Sequence, residues 1–290
     1  VPRTVYVDSS FTTGGATVDG DLEWTGTQNA TVNTDAFSTI AAALTALDTT
    51  TNGTIVVNTG TYAEAIDLTT FPQNITLQFV GGNSTITSLL TGANDTVVLG
   101  GFDGDHTTAV TLTLGDASNQ TIAGVISGTG GLTKVGAGEL TLSATNTYTG
   151  KTSINAGTIS ISNDNNLGAS PGAAVADQLT INGGTLKMTG ASVTINVNRG
   201  ITIAAGGATI DSSALSNTGT LDSVISGTGA LTLIANGDLS DTGGGSSSLF
   251  RLANAANTFT GDVTITAGLV AFNADGSFGA TANDIIISGG

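Results

Sequence analysis

Two short stretches carry the residue types that could hold a metal ion. Asp19-Gly20-Asp21 and Asp103-Gly104-Asp105 each set two carboxylates on either side of a glycine. Carboxylates spaced this way can share a hard cation, which wants about six to eight oxygen ligands. Calcium is therefore the one cofactor for which the sequence offers candidate ligands, namely Asp19, Asp21, Asp103 and Asp105. Neither stretch continues as an EF-hand loop, which needs a glutamate at its far end, and neither is a glycine-rich nonapeptide calcium repeat. Asx turns account for both more simply.

Catalytic schemes lack their parts. The chain has no cysteine and a single histidine, His106, next to Asp105. Nucleophilic triads, zinc sites and imidazole acid–base chemistry have little material to work with. No strained GxSxG elbow is present. The glycines of Gly128–Leu140, GTGGLTKVGAGEL, are followed by neither a helix nor a GK[ST] at the spacing of a phosphate loop. Glycoside hydrolysis needs two carboxylates converging from neighbouring segments, and Asp164, Asp211 and Asp222 are the candidates for that role. Trp24 could stack on a sugar but reads as packing near the N-terminal end. Paired threonines at Thr85/Thr87 and Thr111/Thr113 suggest a flat polymer- or ice-binding face, but such a face needs them once per coil and they recur irregularly.

The elements that would position these residues are almost all strands. Ile, Leu or Val alternates with Thr, Ser or Asn in short runs such as GTIVVNTG, AVTLTLG, TISISN and VTITAG, which places aliphatic side chains inward and hydroxyls outward. Gly, Asn and Asp punctuate the runs as tight turns require. With 42 glycines, 3 prolines and only 4% aromatic residues, the core must be built from Ile, Leu, Val and Ala. One helix stands out: Phe37, Ile40, Leu44 and Leu47 fall on one helical face, which predicts a helix over about 35–48 with Thr34 or Asp35 as its N-cap. The net charge of −16, from 22 acidic and 6 basic residues, argues against nucleic acid and anionic membranes as partners. No apolar run approaches the roughly 18 residues a membrane helix needs.

An internal repeat chooses among all-β architectures. ISGTG occurs at Ile126–Gly130 and again at Ile225–Gly229, NTYTG at Asn146–Gly150 is answered by NTFTG at Asn257–Gly261, and ADQLTINGG at Ala176–Gly184 by ANDIIISGG at Ala282–Gly290. The copies, about 126–184 and 225–290, keep register across an insertion of about a dozen residues near Asn236–Asn254 and a smaller later deletion. A solenoid absorbs such changes because each coil touches only its neighbours, whereas a closed barrel ties strand number to shear. The expectation is a parallel β-helix over 53–290, of roughly ten or eleven coils, behind an N-terminal cap over 1–52. The second copy stops where the first continues TLKMTG, so the sequence reads as ending in mid-repeat.

Gly128–Gly168, GTGGLTKVGAGELTLSATNTYTGKTSINAGTISISNDNNLG, resembles the autotransporter-associated β-strand repeat of large bacterial surface proteins. The resemblance is weaker from Ile225 to Gly290. FSTIAAALTAL followed by GTIVVNTGTYAEAIDL resembles the cap and first coils of pectate-lyase-like β-helices. Together they imply an all-β, right-handed parallel β-helix with one short N-terminal capping helix. Lys134 and Lys151 fall on typical positions of the repeat and read as surface decoration, and Arg3, Arg199, Arg251 and Lys187 are scattered. The implied role is a structural or adhesive segment of a secreted surface protein, without catalysis, at the bacterial cell surface. Its partners would be host or neighbouring-cell glycans or proteins, or another copy of itself. Asp238, Asp241, Phe250 and Arg251, in and beside the insertion, are the candidate contact residues. The alternative reading is a polysaccharide-degrading or polysaccharide-binding protein of the pectin-lyase-like class.

Overall fold

A computed structural model describes residues 3–9, 17–19, 29–31, 36–47, 52–100, 110–235 and 249–288. They form a nearly all-β parallel solenoid of about 9 turns with a single short helix. The chain divides into two compact units, Val1–Thr133 with Ser143–Gly150, and Lys134–Leu142 with Lys151–Gly290.

In the first unit, one sheet runs in the order Val125–Gly128, Thr96–Leu99, Ile75–Phe79, Gly53–Val57, Arg3–Val7, Ala36–Phe37, with every pair parallel. A second stacks Gly60–Asp67, Ser84–Leu90 and Thr111–Leu114 in parallel. Period-two alternation sends every other side chain inward, and parallel register places like on like. Val5, Ile55, Leu77, Val97 and Ile126 form one such file, all fully buried. Among the described residues the antiparallel exception is the short pair Thr17–Asp19 and Asn29–Thr31.

The second unit has three sheets. The first stacks Thr152–Ile154, Val175–Ile181, Arg199–Ile203 and Ile225–Gly227. The second stacks Glu139–Leu142, Thr158–Ile161, Thr185–Gly190, Ala208–Leu215, Leu231–Ile234, Val263–Ala267 and Ile285–Ile287. The third stacks Val193–Ile195, Gly219–Leu221, Phe250–Leu252 and Val270–Phe272. Leu140, Ile159, Leu186, Ile210 and Leu233 make its main aliphatic file, each at most 2% exposed.

The solenoid has fewer turns than the ten or eleven expected because several coils run longer than the expectation assumed, as between the register partners Ser84 and Leu112, Thr152 and Leu179, and Gly219 and Phe250. Asn146 Oδ1 accepts the Ile126 N–H at 2.8 Å, 20 residues away, and Asn257 Oδ1 accepts the Ile225 N–H at the same distance across 32 residues. The same buried bond therefore closes a short coil in one copy and a long one in the other. The extra residues leave the rungs unchanged.

The helix is shorter than the sequence suggested, Ile40–Ala46, and its N-cap is Thr39, not Thr34 or Asp35. Ala36 and Phe37 pair instead with Tyr6 and Val7, because a strand partner was available to them. Thr39 Oγ1 accepts the Ala42 N–H, while the two carboxylate oxygens of Glu64 accept from Ile40 N and Ala41 N at 3.0 and 2.7 Å. Between them these acceptors satisfy three of the free N–H groups of the first turn. The apolar face foreseen for the helix is buried nonetheless: Phe37, Ile40, Leu44 and Leu47 are each at most 6% exposed.

The duplicated ISGTG phrase has a steric cause. Gly128 and Gly227 hold φ of 101° and 111°, in the left-handed region, and a Cβ on either would fall on the carbonyl oxygen of the preceding rung, Leu99 or Ile203. Gly130 and Gly229 lie as close to the carbonyls of Val110 and Ala204. The following rung then bonds to the same glycines, Thr149 N–H to Gly128 O and Thr260 N–H to Gly227 O, both at 3.0 Å. Gly227→Ala should cost about 2–3 kcal/mol, from left-handed backbone strain and displacement of the Ile203 carbonyl. Urea unfolding of the purified chain measures this, and a loss under about 0.5 kcal/mol would contradict the close stacking.

Candidate functional site

Among the described residues the longest ordered array of outward threonines lies in the second unit, on the sheet strands from Glu139–Leu142 to Ile285–Ile287. Glu139, Thr158, Thr185, Thr209, Thr232 and Thr264 are consecutive register partners, followed by Ile286. Five threonines thus stand one per rung, about 4.8 Å apart, each partly exposed. A parallel file, Thr141, Ser160, Lys187 and Asp211, runs beside the first part of the array. Lys187 Nζ meets Glu139 Oε2 at 3.0 Å across the intervening rung. Both side chains are about 30% exposed, so the pair contributes well under 1 kcal/mol after solvent screening. A second hydroxyl file, Ser153, Thr180, Thr202 and Ser226, lines the strands from Thr152–Ile154 to Ile225–Gly227, with Thr202 Oγ1 and Ser226 Oγ 3.2 Å apart.

This regularity is not legible in the sequence, where only the pairs of threonines within one strand stand out. The regular feature is one threonine per rung, and the register that reveals it depends on coil lengths that vary from copy to copy. Thr85 and Thr113, singled out from the sequence, are also register partners in the first unit, and Thr61 extends their file.

Beside the threonine array is a shallow groove of about 160 Å³, lined by Gly183, Gly184, Gly206, Gly207, Ala208, Thr209, Ala230 and Thr232. It falls below the several hundred cubic ångströms usual for small-molecule pockets and has no charged or aromatic lining. Its chemistry is that of backbone amides and hydroxyls, which can hydrogen-bond a neutral polar surface.

Among the described residues the carboxylates do not gather. Asp164, Asp211 and Asp222 form no cluster, and among the described residues no three His, Asp or Glu side chains lie close enough to hold a metal ion. Asp211 accepts from Ser213 N and Oγ in a local turn. The exposed Asp116 has its carboxyl held below the usual range by the hydroxyl and N–H of Ser118, an Asx turn with no reactive neighbour. Burial pushes the Tyr62 hydroxyl well above its ordinary value, helped by the charge of Asp8, and it donates to Asn58 O at 2.9 Å. Neither shift marks a reaction centre.

Two of the scattered cations turn out to be internal. Lys134, read as surface decoration, is fully buried, and its Nζ donates to Val135 O at 2.6 Å and Gly136 O at 2.8 Å. The period-two alternation of GGLTK was the available signal, since Lys134 has the parity of the inward Leu132. Its counterpart in the second copy is Leu233, equally buried. Arg199 is also fully buried and clamps the turn Asp164–Leu167 from 35 residues away. Its Nε and Nη2 donate to Asp164 Oδ1 and Oδ2 at 2.9 and 3.2 Å, and Nη1 and Nη2 donate to Leu167 O and Gly168 O at 2.9 Å. Asn196 N and Ser170 Oγ complete the shell around Asp164. Lys151 remains outside, paired with Asp177.

Of the calcium candidates, Asp19 closes the short strand Thr17–Asp19, while Asp21, Asp103 and Asp105 lie outside the described residues. Asp238, Asp241, His106 and Trp24 lie outside them as well. Phe250 is 1% exposed and packs inward, whereas Arg251 on the same strand is exposed beside Thr220 and Ala271.

Arg199→Leu should lose about 3–5 kcal/mol because it strands the buried Asp164 carboxylate, and Asp164→Asn in the same chain should recover part of it. A double-mutant cycle in urea tests this, and additive losses would refute it. Lys134→Leu should change stability by under about 1 kcal/mol, since the second copy already houses leucine there. Lys134→Ala should cost about 2 kcal/mol or more by leaving a cavity. Thermal melts of the two variants separate these outcomes.

Residues 132–161 and 239–271 match the family described as Passenger-associated-transport-repeat. Over 183 residues, 62% of this chain, the sequence is 34% identical to "Adhesin BmaC autotransporter" from Brucella suis biovar 1 (strain 1330). The aligned stretch spans 4% of that much longer relative. No solved structure matches the chain.

Proposed function

We propose that this chain is a structural and adhesive passenger segment of a secreted bacterial surface protein, a scaffold that displays hydroxyl-bearing side chains and performs no catalysis. The observation that carries this reading is the passenger-repeat match over 132–161, which falls on rungs whose inner residues are mostly stacked aliphatics and whose outer residues are mostly threonine and serine. The likeness to an adhesin over most of the chain supports it. A sheet face of one hydroxyl per rung, with little charge, suits hydrogen bonding to neutral glycans or to backbone-rich protein surfaces. Such contacts are individually weak, and adhesion through them is multivalent. The site of action is the cell exterior, with host or neighbouring-cell glycans or proteins, or another copy of the chain, as partners.

Beads coated with the purified chain should adhere to cultured epithelial cells or to one another above albumin-coated controls. The same preparation should release no unsaturated or reducing ends from polygalacturonate. Product release would replace the adhesive reading with an enzymatic one, and adhesion at the control level would remove it.

A further inference from the structure

The two copies of the repeat occupy different faces of the second unit. Thr152–Ile154 of the first copy lies in the sheet of Val175–Ile181 and Arg199–Ile203, but its counterpart in the second copy lies within Val263–Ala267, in the sheet of Thr158–Ile161 and Thr185–Gly190. Thr158–Ile161 belongs to the second of these sheets, and its counterpart Val270–Phe272 to the sheet containing Phe250–Leu252. Leu179-Thr180-Ile181 belongs to the first of these sheets, and Ile285-Ile286-Ile287 to the second. Each equivalence moves to the next sheet along the chain and none stays in place.

The count of rungs explains the shift. From Thr152 the first sheet passes through Leu179, Ile201 and Ile225, and Thr258 N–H bonds to Ile225 O above them. Four turns are then complete, yet the counterpart of Thr152, Val263, comes one face later. One repeat is thus four turns and one face of a three-faced coil. The inner positions allow this because the three faces accept similar aliphatic side chains: Ile154 and Ile265 hold the same place in the repeat on the first and second faces, and Ile159 and Val270 on the second and third. The local locks travel with the repeat, since the turns Asp164–Leu167 and Asp275–Phe278 form in both copies.

We infer that the repeat acts as a screw, so that a side chain at a fixed repeat position is displayed on the next face in each successive copy and three copies complete the circuit. An adhesive surface built from this repeat is not a single stripe. It presents equivalent contacts in three directions and can engage partners on more than one side at once. The purpose assigned to the screw rests on the adhesive reading, while its geometry does not, and the two are tested separately.

The chain lacks cysteine, so introduced thiols report without background. Thr232→Cys/Thr264→Cys joins register partners on one face and should form a disulfide under mild oxidation. Ser226→Cys/Thr264→Cys, which would be neighbours if the second copy reused the face of the first, should stay reduced. Linkage of the second pair, or none in the first, overturns the screw. For display, Ser153→Cys/Thr264→Cys labelled with biotin should bind two monovalent streptavidins by mass photometry. Ser153→Cys/Ser226→Cys, on one face and three rungs or about 14 Å apart, should bind one because the bound proteins collide. A single streptavidin on the first pair, or two on the second, overturns three-directional display. Neither assay involves an adhesion partner, so loss of bead adhesion with both assays positive removes the adhesive reading alone.

Discussion

Within each unit the described rungs are held to their neighbours by backbone hydrogen bonds in parallel register, and that register stacks most inward side chains into aliphatic files. Val5, Ile55, Leu77, Val97 and Ile126 in one unit and Leu140, Ile159, Leu186, Ile210 and Leu233 in the other are the direct result. With 4% aromatic residues, the core has no large side chain to organise around, so it depends on many aliphatic contacts repeated at one spacing. A rung that slipped by one residue would turn its aliphatic side chains to solvent and bury its threonines. The outward hydroxyl files follow from the same register.

Corners must then be built so that the register survives chains of different length between rungs. Glycines at Gly128 and Gly227 let the backbone turn with positive φ against the preceding carbonyl, and Asn146 and Asn257 each cap a buried N–H of the rung they cover. These contacts are identical in the two copies although one coil is a dozen residues longer. That is why the phrase is spelled twice: its letters are fixed by contacts between rungs, while the residues between the corners are free to change.

Charge is used sparingly inside. Arg199 and Asp164 neutralise each other with all three guanidinium nitrogens and both carboxylate oxygens engaged, and Lys134 curls its ammonium onto two carbonyls at a corner. Both tie a turn to the coil. Leu233 does the work of Lys134 in the second copy without charge, so packing of the side-chain stem matters more at that position than the ammonium.

The sequence by itself determined the architecture and the division into inside and outside. Period-two runs of Ile, Leu and Val against Thr and Ser, and a repeat that tolerated insertion, leave a parallel solenoid as the consistent answer. It also located the one helix and the apolar residues that helix buries. Tertiary structure decided where the helix starts, because the pairing of Ala36 and Phe37 with Tyr6 and Val7 competed with helical propensity. It decided that Lys134 and Arg199 are buried, and it aligned Thr158, Thr185, Thr209, Thr232 and Thr264 into one file. It also decided which face each copy of the repeat occupies. The physical reason is common to all of these: strand identity is written in neighbouring residues, but what lies above and below a residue is set by the length of a whole coil, summed over corners that no local pattern encodes.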